Sequence, residues 1–254
     1  VTPHGSLPVL SASRSDLLSC ELATRLPWDE APAGPAAQVG TRFHELVEAA
    51  LRAREWVALD PLDAAFELPL RAALEWFSST ALPDGGEVLL EQAYELSPLG
   101  AYVAEPGKRE PHWRDVMTCT PLAKRGHREY PSNKAAFYGT ADVVVLDKRS
   151  AHVIDWKTGR RADSHRAQLL SLALMVAEAH KLDHVTATAA YVDLKTGKVK
   201  TESFVADSFD LHVHAGTLVR VFKGRAMEGE MPGPTPGKHC FFCPALGCPE
   251  KLRK

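Results

Sequence analysis

Val153-Ile154-Asp155-Trp156-Lys157-Thr158-Gly159 is the stretch on which the reading of this chain turns. An apolar run ends on an acid and a lysine two positions apart, and residues two apart on a β-strand face the same way. A carboxylate and an ammonium then stand side by side where the strand leaves the core. The acid can hold a divalent cation, and the lysine can orient water or stabilise an anionic transition state. Taken alone, the same pattern also describes a solvated surface ion pair.

Upstream, Tyr138-Gly139-Thr140-Ala141-Asp142-Val143-Val144-Val145-Leu146-Asp147 reads as a β-branched strand entered through a glycine. A short polar connection to Ser150 makes it a hairpin with Ala151 to Trp156. Such a hairpin brings Asp142, early in one strand, near Asp155, late in the next. Two carboxylates and a lysine on one face suit metal-assisted hydrolysis, whereas a strand-terminating Asp142 is the plainer alternative. Between Gly40 and Leu51, apolar Phe43, Val47, Ala50 and Leu51 recur at helical spacing. Thr41 is the expected N-cap, which places His44 in the first turn. Neutral imidazole ligates manganese- or magnesium-type ions when carboxylates complete the shell, although a lone helical histidine also serves as a surface or core residue.

The succession Gly40-x-x-x-His44, Gly139-x-x-Asp142, Asp155-x-Lys157 and a helix carrying Gln168-Leu169-Leu170-Ser171-Leu172 resembles the RecB-like branch of the PD-(D/E)XK nucleases. Leu10 to Cys20 resembles that family's opening helix and its cysteine. The resemblance implies an α/β fold with a restriction-endonuclease-like core, a mixed central sheet flanked by helices. It also implies that His44, Asp142, Asp155 and the main-chain carbonyl of Trp156 hold Mg²⁺ or Mn²⁺, while Lys157 and Gln168 complete the catalytic set. Glu91 matches a glutamate of the family's first core strand as a secondary candidate, though its alternation with Ala93 and Glu95 equally fits a solvent-facing edge. The family commonly has a tyrosine four residues after the glutamine. Here that position is Leu172, which leaves the metal shell whole and puts strand engagement in question.

Five cysteines stand at 20, 119, 240, 243 and 248. Cys240-x-x-Cys243 followed closely by Cys248 can wrap one metal centre. By resemblance to the iron–sulfur subset of the family, the AddB nuclease domain and the nucleases of CRISPR adaptation, Cys20 is the fourth ligand of a [4Fe–4S] cluster. Zn²⁺ on the same four thiolates and reduced, unliganded thiols are the alternatives. An odd count without a secretory pattern argues against a disulfide scaffold. Cys119 is expected to be a free thiol. A cluster would staple the first helix to the last segment and contribute to folding.

Composition is that of a folded protein: 254 residues, 45% hydrophobic, 24% charged, net charge −2. No apolar stretch reaches membrane-spanning length, and the expected location is cytoplasmic. The chain begins at Val1, which fits a trimmed chain or a piece of a longer polypeptide. Basic residues cluster from Lys108 to Lys134, alongside His112, Trp113, His127 and Tyr130, as either a DNA-contacting flap or a solvated loop. Arg160, Arg161 and Arg166 are candidates for phosphate contacts.

One domain is expected over 1–254: an N-terminal helical part (1–86), a core (87–207) with an insertion (97–135), and a C-terminal helix and cysteine segment (208–254). Helices are expected over 13–26, 41–54, 61–79, 164–180 and 208–228. The expected strands are 87–96, 136–147, 151–156, 185–193 and 199–205, with a linker at 31–37. The functional expectation is metal-dependent hydrolysis of DNA phosphodiesters, on single strands or ends, exonuclease ahead of endonuclease. A helicase or CRISPR integration proteins are the implied partners. The rival readings are a nuclease fold kept as a DNA-binding scaffold and a zinc-stapled RNA-binding module.

Overall fold

In the computed structural model the central sheet is built around a β-strand that changes partner halfway along its length. The structure describes residues 9–26, 28, 34–55, 58–80, 86–98, 112–115, 117–122, 136–159, 164–226, 232–235, 237, 240, 243–246 and 248. The chain enters through β1 (Leu10–Ser11), a 3₁₀ segment (Ala12–Ser19) and α1 (Glu21–Arg25). Next come α2 (Pro35–Ala53), a 3₁₀ turn (Pro61–Phe66) and α3 (Glu67–Thr80). Strands β2 (Glu87–Pro98), β3 (Met117–Pro121), β4 (Phe137–Leu146) and β5 (Ala151–Lys157) precede α4 (Ser164–His180). The chain continues with β6 (Val185–Val192), β7 (Val199–Ala206) and α5 (Ser208–Ala226).

The sheet order is β3-β2-β4-β5-β6-β7, with β1 lying parallel to the first part of β4. Among the described residues β1–β4 and β5–β6 are the parallel pairs, and the remaining pairs are antiparallel. The β5–β6 crossover is α4, whose buried side chains carry the larger core with α5 and the N-terminal 3₁₀ segment. The opposite face is covered by α2 and α3, which bury Phe43, Val47, Leu70 and Phe77 against Val143, Val145, Ile154 and Trp156. Helices on both faces of a mixed sheet are the architecture expected from the sequence.

Several boundaries differ from expectation, each for a local reason. The opening helix breaks at Cys20, whose backbone is extended, and its first part is 3₁₀. The hydroxyls of Ser15 and Ser19 donate to the carbonyls of Ala12 and Asp16, competing with α-helical turns. Helix α2 starts at Pro35 rather than Thr41, using proline at its first position. Thr41 is therefore no cap: its hydroxyl donates to the Ala37 carbonyl at 3.0 Å. Pro35 to Ala37 belong to this helix, and positions 31–33 of the expected linker lie outside the described residues.

The 97–135 insertion supplies a strand of its own. β3 pairs with β2 from Tyr94–Pro121 to Pro98–Met117, so β2 is flanked on both sides over Tyr94 to Leu96, whereas among the described residues its first half, which carries Glu91, pairs with β4 alone. Arg114, in a 3₁₀ turn just before β3, stands 3.1 Å from Asp183 and 3.7 Å from buried Glu178. That part of the segment is fastened to the end of α4. The rest of the basic 108–134 stretch lies largely outside the described residues. No helix among the described residues is long and apolar enough to cross a membrane.

Candidate functional site

Strand β4 pairs with β1 through Phe137 and Tyr138, and with β5 only from Val143 to Leu146. Extending the β4–β5 register by one residue sets Asp142 opposite Asp155, at the point where pairing stops. On the other side of β4, Leu90 pairs with Val143 and Gln92 with Ala141, which leaves Glu91 opposite Asp142 at a break in the ladder. Three carboxylates, Glu91, Asp142 and Asp155, therefore share one row across three strands.

The break has a backbone cause. Glu91 has φ +48°, a left-handed conformation that costs a side-chain-bearing residue free energy. The faces of both strands reset there. Tyr94 and Leu96 of β2 and Ala141 of β4 join the α4-side core, whereas Leu90 and Val143 join the α2-side core.

Helices bring the remaining groups. Gly40 of α2 lies against the end of β5, where an added Cβ would stand 3.0 Å from Thr158 Oγ1. One turn later His44 places Nδ1 3.3 Å from Asp142 Oδ2. From the other face, α4 lowers Gln168 onto β5. Its Nε2 donates to Asp155 Oδ1 at 3.0 Å, and its Oε1 accepts from Lys157 Nζ at 3.1 Å. Lys157 Nζ is also 2.6 Å from Asp155 Oδ2, closing a triangle. The Trp156 main-chain N–H donates to Asp142 Oδ2 at 2.7 Å.

Burial sets the electrostatics. Asp155 is 2% exposed, and burial pushes its carboxyl up to about 6, with Asp142 adding to the rise and Lys157 opposing it. Burial would raise Asp142 too, but His44, Lys157 and the Trp156 N–H outweigh it and hold that carboxyl below its ordinary value. Burial disfavours charge on His44, yet Asp142 prevails and raises it.

Ligand atoms of His44, Glu91 and Asp142 lie within 4.8 Å of one another. His44 Nδ1 is buried and faces Asp142 Oδ2 at 3.3 Å, and among the described residues it makes no hydrogen bond of good geometry. Two carboxylates and an imidazole nitrogen with an unmet lone pair or proton form a hard donor set that fits a divalent cation. Asp155 stands beside this trio, with its oxygens toward Gln168 and Lys157.

Residues 18–248 match the family model of the PD-(D/E)XK nuclease superfamily. The chain belongs to the PD-(D/E)XK nuclease superfamily. No curated protein matches it by sequence. Among solved structures, the protein SSO0001 is similar at 14% identity, over 99% of this chain and 91% of that one, with a TM-score of 0.38. LHK-Exo in complex with dAMP is similar at 13% identity, over 85% and 86% of the two chains, with a TM-score of 0.34. A second structure of that alkaline exonuclease, from Laribacter hongkongensis, gives 12%, 85%, 88% and 0.32.

In this PD-(D/E)XK protein the position of the family's tyrosine, Leu172, lies in the core. An added Cβ on Gly139 would come 2.8 Å from Leu172 Cδ2 and 2.8 Å from Met175 Sδ, so the glycine lets α4 approach β4. Of the arginine candidates, Arg166 is exposed and holds its guanidinium 4.2 Å over the Phe204 ring. Arg160 and Arg161 lie outside the described residues.

The cysteine segment returns to the chain's beginning. Ala245 bridges to Trp28, and Cys243 and Cys248 pack on the cluster formed by Leu17, Cys20, Leu22 and Ala23. Burial pushes the Cys243 thiol up, and Cys248, Cys20 and Cys240 push it further, against a hydrogen bond from the Ala245 backbone. Cys119 sits apart, its thiol raised by burial, close to Glu178.

Sequence reasoning passed over two polar groups. Buried Ser15 and Ser171 and half-buried His214 form a chain, with the hydroxyl oxygens 2.6 Å apart and His214 Nε2 2.7 Å from Ser171 Oγ. His165 Nδ1 lies 2.9 Å from the Tyr191 hydroxyl, beside Lys157. A histidine three residues before Gln168, on the same helix face, was the available signal for the second.

Proposed function

We propose that this PD-(D/E)XK chain is a Mg²⁺- or Mn²⁺-dependent DNA nuclease, an exonuclease ahead of an endonuclease, acting on single strands or DNA ends. One observation carries the reading: the His44–Glu91–Asp142 trio borders the closed triangle of Asp155, Lys157 and Gln168. His44, Glu91, Asp142, Asp155 and the Trp156 carbonyl would hold the cation, which when bound supplies Lewis acidity and neutralises charge building on the phosphate. Lys157 orients the attacking water or pairs with a scissile-phosphate oxygen. Gln168 fixes the ammonium relative to Asp155, so the lysine is already positioned when substrate arrives. The presence of every group of the set favours activity over a scaffolding role.

The test is cleavage of end-labelled single-stranded DNA with Mn²⁺, Mg²⁺ or EDTA. Metal-dependent cutting by wild type, lost in Asp155→Ala and Lys157→Ala, is the expected result. Undiminished cutting by both variants would reject the assignment.

The second part of the reading concerns Cys20, Cys240, Cys243 and Cys248, which would hold a structural [4Fe–4S] cluster, with Zn²⁺ the alternative. Its support is proximity: Cys243 and Cys248 pack on the small cluster that contains Cys20, and thiolates gathered from both ends of the chain could ligate one cationic centre. Anaerobically purified protein should be brown and contain iron and sulfide. A colourless protein with stoichiometric zinc overturns the cluster.

A further inference from the structure

Lys157 is in parallel register with Tyr191 on β6. Residues paired in this way point to the same face, with strands about 4.8 Å apart. Tyr191 therefore occupies the place beside Lys157, one strand further from the carboxylate row. Above it the first turns of α4 present His165 and, three residues on, Gln168. The two side chains descend from one helix face, Gln168 onto Asp155 and Lys157, His165 onto Tyr191.

Tyr191 is 9% exposed and its hydroxyl engages His165 Nδ1 at 2.9 Å, with the rings tilted by 34°. Among the described residues Nε2 of His165 makes no hydrogen bond, and the residue is only half-buried. Burial and the neighbouring Lys157 hold the imidazole down to about 4, so it stays neutral beside the lysine. Either partner of this contact can be the donor; the tautomer in which the Tyr191 hydroxyl donates to Nδ1 leaves the ring proton on Nε2, the nitrogen facing away from Tyr191.

We propose that His165 is a substrate-binding residue whose Nε2–H donates to the phosphate next to the scissile one, with Tyr191 as the positioning residue that fixes its tautomer and ring. The proposal rests on the nuclease reading of the Asp155–Lys157 site. Lys157 serves the reacting phosphate and His165 its neighbour, one strand spacing along. The contact is uncharged on the protein side, so it selects phosphate position without adding a counterion-releasing cation.

The experiment measures steady-state cleavage of an end-labelled single-stranded oligonucleotide in Mn²⁺, and anisotropy-detected binding of the same oligonucleotide in Ca²⁺. His165→Ala is expected to raise KM and Kd about ten- to a hundredfold, the value of one hydrogen bond to a charged oxygen, while kcat changes much less. His165→Gln should recover part of the loss, and Tyr191→Phe should show a smaller rise of the same kind. The slope of log Kd against log salt should be the same in wild type and His165→Ala.

A single methylphosphonate beside the scissile phosphate separates contact from scaffold. It should weaken wild type and leave His165→Ala with no further loss. Unchanged KM and Kd in an active His165→Ala enzyme, or fully additive losses from the variant and the methylphosphonate, overturn the proposal. A wild type that binds the oligonucleotide and never cuts it overturns the nuclease reading, and this inference with it.

Discussion

Asp142 accepts a hydrogen bond from the Trp156 main-chain N–H at 2.7 Å, across the gap where β4 and β5 have ceased to pair. A side chain thus takes the place of the ladder and holds the end of β5 in position. The same oxygen lies 3.3 Å from His44 Nδ1, so one carboxylate carries both a structural and an electrostatic duty. Asp142→Asn should separate them. The amide oxygen still accepts from Trp156, leaving the melting temperature within a few degrees of wild type, whereas metal-dependent cleavage falls about a hundredfold or more. Asp142→Ala should lose the same activity and also about 1–3 kcal/mol of stability, because the Trp156 N–H is left unsatisfied. Denaturant unfolding of both variants, read beside their cleavage rates, decides it.

Gln168 joins Lys157 to Asp155 through both atoms of its amide. Gln168→Ala leaves the lysine and the acid in contact with one another but free to swing together. Cleavage should fall about ten- to a hundredfold, less than for Lys157→Ala, since orientation is lost and the reacting groups remain. Equal losses for the two variants would mean that the glutamine does more than position.

The hairpin, its two aspartates and the lysine were legible because two apolar, β-branched runs flank the short polar connection Asp147 to Ser150, which fixes how the strands face one another. The row linking Glu91 to Asp142 was not. It depends on a left-handed residue inside a strand, and strand alternation cannot report a position where alternation itself resets. β3 was hidden for a related reason. Met117 to Pro121 is short and only partly buried, and pairing with β2, not its own pattern, makes it a strand. Thr41 looked like a cap, but Pro35 had already started the helix more than a turn earlier. The Cys20 break came from serine hydroxyls competing for main-chain partners, a local effect that helical periodicity averages away.

Gly139 faces α4 without a side chain. In Gly139→Ala the new methyl meets Leu172 Cδ2 and Met175 Sδ, each at 2.8 Å, and Ala12 Cβ at 3.2 Å. Part of the overlap can be relieved by moving the Met175 side chain, but Leu172 is held in the core. A destabilisation of about 1–3 kcal/mol is expected, visible as a lower denaturation midpoint with an unchanged slope.

His214 connects stability to pH. Burial alone holds its imidazole down to about 4, against an unfolded value near 6.5. The unfolded chain therefore binds a proton more tightly over that range. The stabilisation is fully present above about 6.5 and is lost as pH falls through about 4, up to about 3 kcal/mol for this group. In His214→Gln, whose amide can still reach Ser171, the fall in stability between pH 7 and 4 should be smaller by that order. Parallel unfolding curves at several pH values test it. An identical pH slope in the two proteins would place the acid sensitivity in other groups.

Glu91 combines backbone strain with a place in the ligand trio. Glycine accepts φ +48° without a Cβ penalty. Glu91→Gly should therefore stabilise the apo protein, by about 1 kcal/mol after the added freedom of the unfolded chain is counted, while cleavage falls about a hundredfold or more. Glu91→Gln keeps the strain, so it should lose activity without the same gain. Thermal melts in EDTA beside Mn²⁺-dependent cleavage rates distinguish these outcomes. A glycine variant that is both less stable and fully active would remove Glu91 from the site and leave its backbone conformation without a functional reason.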